Sequence, residues 1–186
     1  SRTRQHAAVV DSATRAGIAS IAYTSVLKAD RSTLSLAAEH RATEEAIRAS
    51  GLPFVFLRNG WYLENHTDQL GGILQRGMLA GSATTGRFAS AARRDYAEAA
   101  AAVLTAPGPR QAIYELAGEP FTLAEFAAEA ARQTGTAIEY RDLTPEAYKS
   151  VLLGTGLPPA VADLLVNFDV AAARGDLEHP SDELRR

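Results

Sequence analysis

The 186-residue sequence contains no cysteine, one methionine and one tryptophan. Without cysteine it can form no disulfide, hold no metal through thiolates and use no thiol nucleophile. It has no apolar run long enough to span a bilayer, and its polar opening, Ser1-Arg2-Thr3-Arg4, leads into no apolar core of the signal-peptide kind. Charge of one sign is scarce too. Lys+Arg total 19 against 22 Asp+Glu, a formal net charge of −3, and the longest basic runs are Arg93-Arg94 and Arg185-Arg186. That balance argues against a nucleic-acid partner. His6, His66 and His179 show no metal-ligand spacing, so no metal is expected. Ser35 and Ser90 lack the Gly-x-Ser-x-Gly setting of a hydrolase nucleophile. What abounds is alanine, 37 residues, so the 46% hydrophobic content rests on fewer large side chains than it suggests. These features predict a cytoplasmic globular protein, one domain over residues 1–186.

Strand and helix signals alternate along the chain. Residues 5–16 have helical apolar spacing closed by Gly17, and 18–24 (IASIAYT) read as a strand covered on both faces. A helix over 34–50 presents Leu36, His40, Thr43 and Ile47 on one face and stops at Gly51. A strand follows at 53–57, then an alanine-rich helix at 95–105 and a strand at 112–116. Thr122 and Glu125 form a capping box, with Phe121 against Phe126 as its staple, for a helix over 123–134. Residues 138–140 read as a short strand, Thr144-Pro145 opens a helix to about Leu153, and Pro158-Pro159 opens another short one. Gly71-Gly72 lies in a helix-like stretch, while Gly77, Gly81 and Gly86 punctuate loops. The alternation predicts βαβ units and a parallel sheet. The chain nonetheless opens on a helix, ahead of a strand that wants neighbours on both edges.

IAYTS (21–25), ASGLPF (49–54), LRNGWYLEN (57–65), DYAEAAAAVL (95–104) and YELAG (114–118) resemble the NmrA-like, atypical short-chain dehydrogenases. The nearest likeness is to bacterial NAD(P)H:quinone oxidoreductases of the QOR2 type. The resemblance implies an α/β fold: the C-terminal part of a doubly wound, Rossmann-like parallel-sheet domain with a small helical lobe on the substrate side. It also implies that the chain lacks the family's N-terminal βαβ part, whose G-x-x-G-x-x-G turn holds the pyrophosphate.

Asn59-Gly60 after a buried strand is a tight turn at the carboxyl end of the sheet, where open α/β folds bind ligands. Glycine there allows a ligand to approach the backbone, and Trp61 and Tyr62 offer flat faces to a nicotinamide or quinone ring. The alternative is a structural turn with an anchoring tryptophan. The resemblance assigns Gly60, Trp61, Tyr62, Leu63, Glu64 and Asn65 to the NADPH (or NADH) site. It brings Arg87 to the cofactor phosphates, against the alternative of a solvated surface arginine. It also puts Tyr23, Thr24 and Ser25 beside the substrate. The usual Tyr-x-x-x-Lys donor pair is absent, Leu36 and His40 standing in those positions. That departure disfavours alcohol dehydrogenation more than reduction of a small-molecule quinone, which needs less proton assistance. His40 is either the proton donor or a half-buried residue beside Glu44. Glu44-Glu45 reads as a solvated or ion-paired helix face.

The resemblance therefore implies hydride transfer to a quinone. Its alternative is a non-catalytic NAD(P) sensor of the NmrA-like kind, acting through protein partners. A third possibility is that the chain does nothing alone. With its first strand's outer edge bare, the isolated chain is expected to be poorly soluble or to form a homo-oligomer, and to bind NADPH too weakly to detect at micromolar concentration.

Overall fold

The computed structural model describes residues 1–107 and 111–185. Three parallel strands form the main sheet: β1 (Ile21–Val26), β2 (Phe54–Asn59) and β5 (Gln111–Leu116), in the order β1-β2-β5. The register sets Val26 beside Asn59 and Asn59 beside Leu116, so all three carboxyl ends open on one side. β2 is central, β-branched or aromatic over its first three residues, and Val55, Phe56 and Leu57 are buried. One face of the sheet is covered by α1 (Arg2–Ala16) and α2 (Ala37–Ala49), with Val10 and Ile47 against Phe56. The other is covered by α5 (Arg93–Thr105), with Tyr96 against Val55, Leu57 and Leu116.

A second group of elements sits over the carboxyl ends. β3 (Met78–Gly81) pairs in parallel with β7 (Glu139–Asp142), and β4 (Arg87–Phe88) pairs antiparallel with β6 (Phe121–Thr122). Helices α6 (Leu123–Thr134), α7 (Pro145–Gly154) and α8 (Pro159–Ala173) pack around them. Phe88, Leu123 and Phe168 form the shared core, which Leu34 and Ala37 join from the first group. The short helices α3 (Glu64–Thr67) and α4 (Leu70–Arg76) bridge the groups. The expected capping box is formed. Thr122 Oγ1 accepts from Glu125 N–H at 3.1 Å, Glu125 Oε2 accepts from Thr122 N–H at 2.7 Å, and Phe121 stacks on Phe126 at 6.1 Å.

Three expectations need correction. The strand expected at 18–24 is β1, shifted to 21–26, and it is not covered on both faces. Ala22 and Thr24 are exposed, and among the described residues only β2 pairs with it. The short helix at Pro158-Pro159 is a long one, running to Ala173, because its alanines and leucines sustain helix well past the proline start. Gly81 is not a loop glycine but ends β3. β3, β4 and β6 are four residues or fewer, too short to leave a periodic signal in the sequence.

Candidate active site

Gly60 follows β2 and donates its N–H to Leu116 O at 2.7 Å. A Cβ here would lie 2.7 Å from Ala89 O and 3.2 Å from Leu116 O. The protein's own backbone therefore requires a glycine at this position. The next residues are tied to the strand-like segment at Ala91. Ala91 N–H donates to Trp61 O at 3.2 Å, and Leu63 N–H donates to Ala91 O at 2.9 Å. Trp61 is thereby aimed at the second group of elements, its ring 4.3 Å from Phe168 at 61°. Tyr62 packs 5.4 Å from Tyr96, with the Arg93 guanidinium 5.4 Å over its ring. Both Glu64 carboxylate oxygens accept from Arg93 N–H, at 2.9 and 3.0 Å, so Glu64 caps α5. Its own N–H and that of Arg93 hold this carboxyl below the usual carboxylate range. Asn65 Oδ1 accepts from Arg93 Nη2 at 3.3 Å.

Trp61, Tyr62 and Asn65 line one cavity of about 560 Å³, together with His66, Phe126 and Asp169. Leu63 faces a different groove, beside α5 and β5. His66 sits amid rings, 5.1 Å from Phe88 and 5.4 Å from both Phe121 and Phe126, and burial pushes its pKa down to about 4. It is a neutral imidazole at neutral pH. Asp169 lies on α8 with only 7% exposure, and its Oδ2 accepts from Ser82 N–H at 2.7 Å. Burial pushes its carboxyl up to about 7, against the opposing pull of the Ser82 N–H. Sequence reasoning missed both residues. His66 adjoins LRNGWYLEN directly, and Asp169 interrupts an apolar run after Phe168, which were the available signals.

The other expected residues lie apart from that cavity. Tyr23, Thr24 and Ser25 alternate across β1, so Tyr23 and Ser25 face α2 while Thr24 is exposed on the opposite face. Tyr23 Oη and His40 Nδ1 share a hydrogen bond of 2.8 Å, and His40 is half-buried. Burial, with Arg2 and His6 nearby, lowers the His40 pKa. Ser25 donates to Glu44 Oε1 at 2.6 Å. Glu44 stands one helical turn beyond His40, as the spacing suggested, and its charge opposes the lowering of the His40 pKa, but its hydrogen bonds run elsewhere. It is almost wholly buried and takes a two-pronged bond from Arg58, Nε at 2.9 Å and Nη2 at 2.7 Å. Of the two readings offered for Glu44 the ion-paired one holds, with Arg58 on β2 and, along the helix, with Arg48 at 3.1 Å. Arg58 Nη1 also donates to Asp30 and Glu115, each at 2.8 Å. Glu115 in turn accepts from Lys28 N–H at 2.9 Å, which fixes the loop after β1. Arg87 donates to Pro120 O at 2.6 Å and pairs with Glu125 at 3.2 Å.

No family model matches the chain. Quinone oxidoreductase 2 of Escherichia coli K12 is 42% identical over 186 residues, covering all of this chain and 65% of that protein. The crystal structure of the E. coli NADPH-dependent quinone oxidoreductase QOR2 with NADPH superposes with a TM-score of 0.94, covering 97% of this chain and 64% of that one. An NmrA-like family domain-containing oxidoreductase of Aspergillus flavus is 30% identical over 182 residues, covering 94% of this chain and 59% of that protein. The chain is similar in sequence to quinone oxidoreductase 2 and to an NmrA-like family domain-containing oxidoreductase. It shares the α/β fold with its parallel sheet with the QOR2 structure. The triphenylmethane reductase of Citrobacter sp., solved with NADP(H), also superposes at 0.94 with 33% identity, covering 98% of this chain and 65% of that one. The chain thus spans just under two thirds of the length of the relatives it matches. Among the described residues no helix is long and apolar enough to cross a membrane.

Proposed function

We propose that this chain carries the acceptor-side part of an NADPH-dependent reductase whose substrates are quinones. The observation that carries the reading is the ring-walled cavity under Trp61, at the carboxyl end of a parallel sheet. A flat, conjugated acceptor fits such walls, and the 42%-identical relative is named for quinones. The bound dinucleotide would supply a hydride, two electrons and one hydrogen together. Asn59 Oδ1, buried at the end of β2 without a donor, suits the N–H₂ of a nicotinamide carboxamide. Trp61, Tyr62 and Asn65 would orient the two rings, with Gly60, Leu63 and Glu64 fixing the turn that presents them. Arg87 would reach a phosphate by exchanging Glu125 for it. Tyr23, Thr24 and Ser25 belong to the strand that shapes the cofactor side. His40, bonded to Tyr23 and depressed in pKa, fits structural support of β1 better than proton donation. The setting proposed is cytoplasmic. A homo-oligomer formed through the open edge of β1 is part of the same reading.

The test mixes the full chain with millimolar NADPH and 2-methyl-1,4-naphthoquinone and follows the nicotinamide absorbance. Quinone-dependent loss of the reduced form is the expected outcome. Saturable NADPH binding with no quinone-dependent loss would replace the enzyme by the sensor, which no observation favours at present.

A further inference from the structure

α8 reads PAVADLLVNFDVAAA and turns Asp169 into the cavity, next to the Phe168 ring that contacts Trp61. Among the described residues the carboxyl has one hydrogen-bond partner, the Ser82 N–H, and no cation pairs with it. Facing it are Tyr140 and Asp142 from β7 and Tyr148 from α7, while His66 shares the cavity from α3. Asp142 is itself occupied, accepting from Thr84 N–H at 2.8 Å and from Tyr140 O–H at 3.0 Å. Asp68 and Arg93 stand at the exposed mouth, 4.0 Å apart. The Asp169 carboxyl is thus poorly solvated and lines a ring-walled cavity, tied to the chain just past β3 by its bond from Ser82.

We propose that Asp169 is the acid of this cavity, donating a proton to a carbonyl oxygen of the quinone held against Trp61. The inference rests on the quinone reading above and adds the group that completes it. Reduction to a hydroquinone requires two electrons and two hydrogens. The hydride accounts for both electrons and one hydrogen. The other is the proton of Asp169: its carboxyl O–H breaks as an O–H forms on the acceptor, and the carboxylate is reprotonated from solvent at the mouth. The remaining groups are poorly suited to the task. Burial leaves His66 neutral down to about pH 4, so its ring N–H is a very weak acid, and burial raises Tyr148 and Tyr140 above the ordinary phenol value of 10.0. With its carboxyl pushed up to about 7, Asp169 holds a proton that it can also release near neutrality.

The test needs no dinucleotide. Trp61 is the single tryptophan, so tryptophan emission, excited selectively over the six tyrosines, reports on this cavity alone. Saturable quenching by 2-methyl-1,4-naphthoquinone, titrated from about pH 5.5 to about pH 8.5, should weaken about ten-fold across a limb near neutrality as the donor is lost, the factor one hydrogen bond carries. Asp169→Asn keeps an acceptor for Ser82 N–H and donates through its N–H₂ at every pH, so its affinity should be flat. In the protein without quinone, the infrared band of a protonated carboxyl should vanish over the same limb and be absent from Asp169→Asn. Saturable quenching that does not change with pH, or the same limb in Asp169→Asn, removes Asp169 and leaves the quinone reading standing. A carboxyl band that does not titrate in the unsubstituted protein removes it even if the variant fails to fold. No saturable quenching at any pH overturns both.

Discussion

Arg58→Ala tests how the end of the central strand is held. The Arg58 side chain is 6% exposed and bridges three carboxylates: Glu44 at 1% exposure, Glu115 at 23% and Asp30 at 62%. Asp30 is too solvated for its pair to count for much. Glu44 decides the outcome. Removing the guanidinium leaves a buried carboxylate with Ser25 and the half-exposed Arg48 as its only partners among the described residues. Breaking a buried pair from one side costs about 3–5 kcal/mol, a large share of the roughly 5–15 kcal/mol that holds a domain together. The pH dependence gives a second, sharper signature. In the intact protein burial raises the Glu44 pKa, but the bonds from Arg58 and Ser25 and the charges of Arg58 and Arg48 outweigh it and hold the carboxyl below its ordinary 4.5. Its ionised form then adds stability above that value, and the gain is lost as pH falls through the depressed one. Without Arg58 burial is opposed only by the Ser25 bond and the Arg48 charge, so the carboxyl pKa moves up and the stability its ionised form adds at neutral pH falls. The gap between the two proteins should therefore be widest at about pH 7 and shrink toward about pH 4.5. Urea unfolding at both pH values measures it. A loss below about 1 kcal/mol at neutral pH, or a gap that grows on acidification, would refute this account.

Gly60→Ala should cost about 1–3 kcal/mol in thermal or urea unfolding, because its new methyl meets the Ala89 and Leu116 carbonyls, which are backbone and cannot swing aside. Trp61→Ala should weaken quinone binding by about 0.5–1.5 kcal/mol beyond its lost contact area, measured by equilibrium dialysis since the fluorophore is gone; unchanged affinity would remove Trp61 from the ring wall. Arg87→Ala should raise the KM for NADPH and leave that for quinone nearly unchanged. Equal effects on both would mark the Glu125 and Pro120 contacts as merely structural.

What could be read in the sequence is what local chemistry determines. Thr122 and Glu125 are three residues apart, so their reciprocal bonds are written in the spacing, as is the stop at Gly135. The parallel strands follow from short apolar runs alternating with helices. The reason for Gly60 was invisible because the atoms that forbid a side chain there come from residues 89 and 116, which only the fold brings together. Glu44 looked like half of an exposed pair of acids. Arg48, four residues on, was within reach of the spacing, but the two-pronged partner Arg58 is fourteen residues on, across a helix–strand contact that no periodicity encodes. The aromatic turn at 61–62 was legible as a wall, but its opposite side was not, since Phe168 and Asp169 arrive from a helix over a hundred residues later.

Glu44 and Asp169 are two nearly buried carboxyls treated in opposite ways, and the contrast separates their roles. Glu44 meets a guanidinium in its preferred two-pronged geometry, with the Ser25 hydroxyl completing the shell, so its charge is stabilised and its proton unavailable. Asp169 meets one backbone N–H and the repulsion of Asp142, so its charge is disfavoured and its proton retained to about pH 7. The fold favours that neutral form. The penalty is absent below the ordinary value of 3.8, grows as pH rises toward about 7 and stays constant above it, ~4 kcal/mol at most. A cation near Asp169 would remove the penalty, as Arg58 does for Glu44, and would also turn the group into a fixed carboxylate unable to donate. A pair of acids whose surroundings push their pKa values apart divides into one that holds structure and one that can exchange a proton. The one that can exchange it faces the ring-walled cavity.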